Sequence, residues 1–162
     1  MKSNHLLLFV LTFFLFACKT EVKKETTVEP SKESVAVVEE KTLYEKLGGE
    51  EGISSIVDDI IEVHLKNDKI KQFFIPLTED PEHMEQFKQH VKDFFGSGTG
   101  GPEEYKGRDM PTAHQGLNIS EAEFLHTIDD ILLVLDSHKI DRNSRNEVLA
   151  VLFSLKWDVI KK

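Results

Sequence analysis

The chain has 162 residues, room for one domain and its attachments. With 20 Lys+Arg against 29 Asp+Glu its formal charge is −9, which argues against general nucleic-acid binding, since that needs a basic surface to displace counterions from phosphate. Hydrophobic residues at 40% and charged residues at 30% exclude wholesale disorder, and a single cysteine excludes an intramolecular disulfide framework or a Cys-rich zinc or iron–sulfur site.

Residues 6–16 are apolar except for Thr12 and follow a positive Met1-Lys2 start. Eleven residues are too few to span a bilayer comfortably but match the apolar region of an export signal. Leu15-Phe16-Ala17-Cys18 resembles a bacterial lipobox. The resemblance implies that residues 1–17 are a lipoprotein signal peptide. Cys18 would then be acylated and become the mature N-terminus, and the protein would be exported and membrane-anchored on the periplasmic or cell-surface side. The alternative is an ordinary cleaved signal that leaves a free Cys18. Residues 18–42 are rich in Glu, Lys, Ser and Thr and hold no aromatic residue, so a disordered polar tether is expected there. Basic and acidic residues balance over 1–42, which leaves the whole net charge on a folded domain at 43–162.

That domain reads as helices. A short segment from Leu43 stops at Gly48-Gly49. Ile53, Ile56, Val57, Ile60, Ile61, Val63 and His64 then recur at helical spacing as far as Asn67-Asp68. Ile70, Phe73 and Phe74 form a brief turn closed by Pro76. Asp80-Pro81-Glu82 supplies an N-cap, a first-position proline and an acidic first turn, and opens a helix with Met84, Phe87, Val91 and Phe94 on one face. Four glycines within residues 96–102 predict a loop. Ser120-Glu121-Ala122-Glu123 is a capping box ahead of the stripe Phe124, Ile128, Ile131, Leu132, Leu135. Asp141 caps a last helix that carries apolar residues from Val148 to Ile160. No strand periodicity and no internal repeat emerge, so the fold class is all-α. Residues 96–118 lack a strong helical pattern, and so long a loop in a small domain is usually functional or held by something bound.

His114 falls inside that segment, poorly placed for core packing and well placed to reach inward as a metal ligand; a solvated loop histidine is the alternative. His90 borders the apolar face of the Met84 helix, and His64, His126 and His138 read as surface residues. Nucleophile-elbow, phosphate-loop and zincin motifs are all missing from the sequence.

Leu43-Tyr44-Glu45-Lys46-Leu47-Gly48-Gly49 resembles the opening of the group I truncated haemoglobins. The resemblance continues in order through Ile70-Lys71-Gln72-Phe73-Phe74, Gln89-His90-Val91-Lys92-Asp93-Phe94-Phe95 and Gly100-Gly101-Pro102, then through Tyr105-Lys106-Gly107-Arg108-Asp109-Met110 and Ala113-His114-Gln115. It implies a two-over-two helical sandwich around haem, with His114 as proximal iron ligand and the opposite face open to a diatomic gas. It further implies that Phe74 packs on the macrocycle, that Phe95 lines the gas route, and that Met110 and Leu117 flank the proximal side. Arg108 would face a haem propionate, with Lys92 as a competitor. The gas side departs from the family: Ile61 stands where a tyrosine is usual, and Phe87 and Val91 stand where glutamines are frequent. His90 occupies a position where some members place a second iron-ligating histidine. Three functions stay open on this reading: binding of oxygen or another gas (NO, CO) at a membrane surface, nitric-oxide or peroxide chemistry with an external electron donor, and a haem-free helical interaction module.

Overall fold

Thr42, Asp80, Asp109, Ser120 and Asp141 each turn a side-chain oxygen onto backbone N–H groups two or three residues ahead, and each opens a helix. The computed structural model describes residues 40–162; the expected signal peptide, Cys18 and nearly all of the expected tether lie outside them. Among the described residues seven helices follow in order: α1 (Leu43–Lys46), α2 (Gly49–Lys66), α3 (Pro81–Gly98), α4 (Met110–His114), α5 (Glu121–Ser137), α6 (Arg142–Ser154) and α7 (Lys156–Val159). Two 3-10 turns, Lys71–Phe73 and Ile75–Glu79, bridge α2 to α3. No strand occurs among the described residues.

The pairs α2/α3 and α5/α6 form two layers, with α2 also against α5, which is the two-over-two arrangement. Ile53, Ile56, Val57, Ile60 and Ile61 put one face of α2 into the main core, against Phe95 of α3 and Ile131, Val134 and Leu135 of α5. Ile119, Phe124, Ile128 and Ile160 form a second cluster where the chain end meets α5.

Three sequence expectations are corrected. The expected last helix is two, because the chain turns at Leu155 between α6 and α7. The expected loop at 96–102 begins later, since α3 runs through Gly96 to Gly98. His114, expected in a loop, ends the short helix α4.

Gly96 is a packing glycine. A Cβ there, or on Gly101, would run into the Glu103 carboxylate, and at Gly101 also into the Tyr44 ring. That close approach lets the Tyr44 hydroxyl donate to Glu103 Oε1 at 2.6 Å while the Tyr44 N–H donates to the Thr99 carbonyl at 3.0 Å. Together these contacts tie α1 to the segment leading to α4. The bond to Glu103 pushes the Tyr44 pKa up to about 12, with burial and the Glu103 charge adding to it. The sign follows: stabilisation from this bond is whole below the ordinary tyrosine range and is lost as pH rises through about 12. In a titration followed at the tyrosinate band, one of the two tyrosines should therefore ionise only near pH 12, and Glu103→Gln should return it toward the ordinary value. Gly101→Ala should abolish the shift and cost about 1–3 kcal/mol in denaturant unfolding, as overpacking does. Ordinary ionisation of both tyrosines in the folded native chain would show that the Tyr44–Glu103 bond is not formed.

Candidate functional site

His114 stands at the C-terminal end of α4, half-buried. Five residues are too few to hold a helix by propagation alone. Three things hold this one. Asp109 accepts from the Thr112 N–H at 2.9 Å, the Thr112 side chain and then this N–H draw its carboxyl below the usual range, and Pro111 preorganises the first turn. The chain end closes over it: the Gly116 N–H donates to the Lys162 carbonyl at 2.7 Å, and the Lys161 N–H to the Ile119 carbonyl at 2.9 Å. Helix α7 packs directly on α4.

His114 Nδ1 lies 2.8 Å from the Met110 carbonyl oxygen, one turn earlier. A carbonyl only accepts, so in the neutral ring Nδ1 carries the proton and Nε2 carries the lone pair. This is the state a metal-binding imidazole needs, with ring orientation set by the second nitrogen. Among the described residues no three His, Cys, Asp or Glu side chains converge as a chelate. A single oriented imidazole therefore suits a metal that brings its own in-plane ligands, as haem does.

The other expected site residues sit as follows. Met84, Phe87, Val91 and Phe94 lie along one face of α3, partly buried against the main core. Ile61 and Phe95 are buried within that core. Phe74 stands edge-on to Phe87, with ring centroids 6.3 Å apart. Tyr105 packs edge-on against Phe94 at 5.4 Å and against His90 at 6.4 Å, and its hydroxyl donates to the Arg108 carbonyl at 2.7 Å. His90 itself is exposed, as is Arg108. Leu117 keeps 41% exposure beside α4, a large share for an apolar residue next to a candidate ligand. Lys92 is engaged by Asp58 at 3.2 Å, and Asp58 also holds Lys88; the two lysines draw the Asp58 carboxyl below its usual range against the opposing effect of burial.

A cleft of ≈ 540 Å³ opens between α2 and α3, where Asp58, Asp59, Glu62, Glu85 and Lys88 line it together with Ile61 and Met84.

Sequence reasoning missed one group beside the site. His64, expected on the surface, is buried to 2% exposure in α2. Its Nδ1 lies 3.0 Å from Oδ2 of Asp130 on α5, and the Asn67 side-chain amide donates to both Asp130 oxygens at 3.0 Å. The imidazole stacks on Phe74, centroids 4.8 Å apart and planes 28° from parallel. Burial pulls the His64 pKa down against the opposing bond from Asp130, which keeps the ring neutral. The available signal was spacing: position 64 follows Ile60 and Ile61 by four and three, on the same apolar face. Also expected on the surface, His138 bonds Asp59 at 2.6 Å and is partly buried, as is His126.

Residues 42–161 match the bacterial-like globin family. A group 1 truncated hemoglobin of Tetrahymena pyriformis is 32% identical over 122 residues, covering 75% of this chain and 97% of its own. One from Synechocystis sp. is 33% identical over 114 residues, covering 68% and 88%. The crystal structure of the Tetrahymena pyriformis protein in its Fe(III) form superposes with a TM-score of 0.68 at 29% identity, over 75% of this chain and 100% of that one. The chain belongs to the bacterial-like globins, among the group 1 truncated hemoglobins, and its cofactor is haem.

Proposed function

We propose that this globin binds a diatomic gas at a haem held through His114, at a membrane surface to which an acylated Cys18 ties it. The observation that carries the haem-ligand assignment is the 2.8 Å bond from His114 Nδ1 to the Met110 carbonyl. Haem would supply an iron able to take oxygen, carbon monoxide or nitric oxide. The chain does the rest. Helix α4 presents Nε2 with its lone pair free, and Met110 and Leu117 flank it. Phe74, Phe87 and Val91 offer flat apolar surface and exclude water, and Phe95 lines the route inward. Arg108 answers a propionate charge. Ile61, Phe87 and Val91 donate no hydrogen bond, so this pocket selects by size and apolarity more than by polar stabilisation of the gas.

His114→Ala should abolish the haem Soret band of the purified chain and leave its helical content near wild type. Unchanged haem content and unchanged ferric and ferrous-CO spectra in that variant would place the iron on another ligand.

His90→Leu tests the remaining polar group at the margin. The exposed setting of His90 against Tyr105 supports a donor role over ligation. The expected result is an unchanged ferric spectrum and oxygen release faster by about ten- to a hundredfold, the loss of one bond of about 1.5–3 kcal/mol. A low-spin ferric spectrum that turns high-spin in the variant, with faster carbon monoxide binding, would make His90 a second iron ligand instead.

The membrane reading rests on the residue 6–16 run and the Leu15-Phe16-Ala17-Cys18 motif. A stable anchor needs two acyl chains or more, because one binds only marginally. Cys18→Ser should leave the precursor uncleaved and unlipidated. Normal processing with release of soluble protein would assign the chain to an ordinary signal peptidase.

A further inference from the structure

Ile61, Phe87 and Val91 give the gas side no hydrogen-bonding side chain, and His90 stands only at its margin, yet a buried polar group packs behind Phe74. His64 lies three residues beyond Ile61 on α2, and helical side chains lean toward the preceding turn, so the imidazole lies over the same face as Ile61. Both ends of its placement are specified. At one end the His64 Nδ1–H donates to Asp130 Oδ2 at 3.0 Å, and the Asn67 amide donates to both Asp130 oxygens at 3.0 Å. This fixes tautomer and ring orientation. At the other end the ring face lies 4.8 Å from Phe74, and Phe74 meets Phe87 at 6.3 Å and 61°. A continuous chain of contacts thus runs from a carboxylate on α5 to the α3 residue that faces the gas.

We propose that His64, oriented by Asp130, is a positioning residue for the gas-binding face: it sets the plane of Phe74 and, through Phe74, the place of Phe87. This rests on the reading that Phe74 and Phe87 pack against the haem. An apolar core alone would not explain the arrangement. An aliphatic side chain at 64 would fill the same volume without requiring a carboxylate and an amide to be buried beside it, and buried ionic groups are costly unless fully bonded. What the imidazole adds is a flat, singly oriented surface. Phe74 joins two 3-10 turns at the edge of the main core, and the His64 face and Phe87 edge are the two aromatic surfaces that restrain its ring.

The test uses the full chain with its haem and carbon monoxide as the probe. Asp130→Asn keeps the ring and weakens its hold; His64→Leu keeps apolar volume and removes the ring. Both should retain the Soret band. Both should change the carbon monoxide association rate by about two- to tenfold, the equivalent of one ordinary hydrogen bond, and shift the C–O stretching frequency of the bound gas, with His64→Leu the larger. A fall in melting temperature with wild-type association rate and stretching frequency would make the pair merely structural and overturn the proposal. Should His64→Leu fail to fold, Asp130→Asn decides by the same two readouts. Absence of a Soret band in the wild-type chain would instead overturn the haem-site reading beneath it, before any variant is compared.

Discussion

The hydrogen bond from His114 Nδ1 to the Met110 carbonyl constrains everything around it, because it is internal to a helix of only five residues. A bond within one turn orients the ring relative to α4 and says nothing about where α4 sits. That position comes from outside the helix: from the Asp109 cap, from α7 packed against it, and from the Lys162 carbonyl that accepts from Gly116 and Asn118. The final residues of the chain thus act as a clamp on the ligand helix. The Tyr44–Glu103 bond performs the same task at the other end of the connecting segment, where it ties the stretch after α3 to α1. A candidate cofactor ligand on so short an element is precise only when both flanks are pinned.

How much of this was legible in the sequence depended on whether the cause was local. Caps are local, so the starts at Pro81, Glu121 and Arg142 could be read directly from Asp80, Ser120 and Asp141. Helical periodicity is nearly local, so the buried faces of α2 and α5 were legible as well. Gly96 misled because a glycine needed for backbone turning and a glycine needed for close packing look alike in a sequence; only the approach of Glu103, seven residues on, tells them apart. His64 misled for a related reason. A histidine is assigned to the surface unless a buried partner is known, and the partner, Asp130, lies 66 residues away on another helix. His114 was legible as the odd residue of an odd segment and by family register, but its Nδ1 bond was not, because that depends on the segment being helical.

Charge on this domain is organised by the same division between near and far. Its acidic excess lies mostly on exposed helix faces, where repulsion is screened and lysines answer it locally, as Lys88 and Lys92 answer Asp58. Asp130 is the exception, a buried carboxylate that needs its partners supplied by the fold. Asn67, just past the end of α2, and His64, in its last turn, converge on it, so the C-terminal end of α2 is joined to the middle of α5 by polar bonds, as Asp59 and His138 join the middle of α2 to the end of α5. The join specifies register: sliding α2 along α5 by one turn would strand a carboxylate in the core, at a cost of several kcal/mol.

On the proposed reading of Ile61, Phe87 and Val91, that placement would let an apolar gas pocket also be an ordered one. A donor in direct reach of the gas would both orient the first layer and raise affinity for polarisable ligands. Ile61, Phe87 and Val91 give up that donor, and with it the hydrogen-bond network that would normally hold the pocket's side chains in one arrangement. Order must then come from the second layer. His64 meets that need because its polar edge turns to Asp130 while its flat face turns to Phe74, so the polarity that restrains the pocket is kept behind an aromatic ring. Moving the polar group back by one ring separates two properties that a single distal donor would couple, the rigidity of the pocket and its affinity for oxygen.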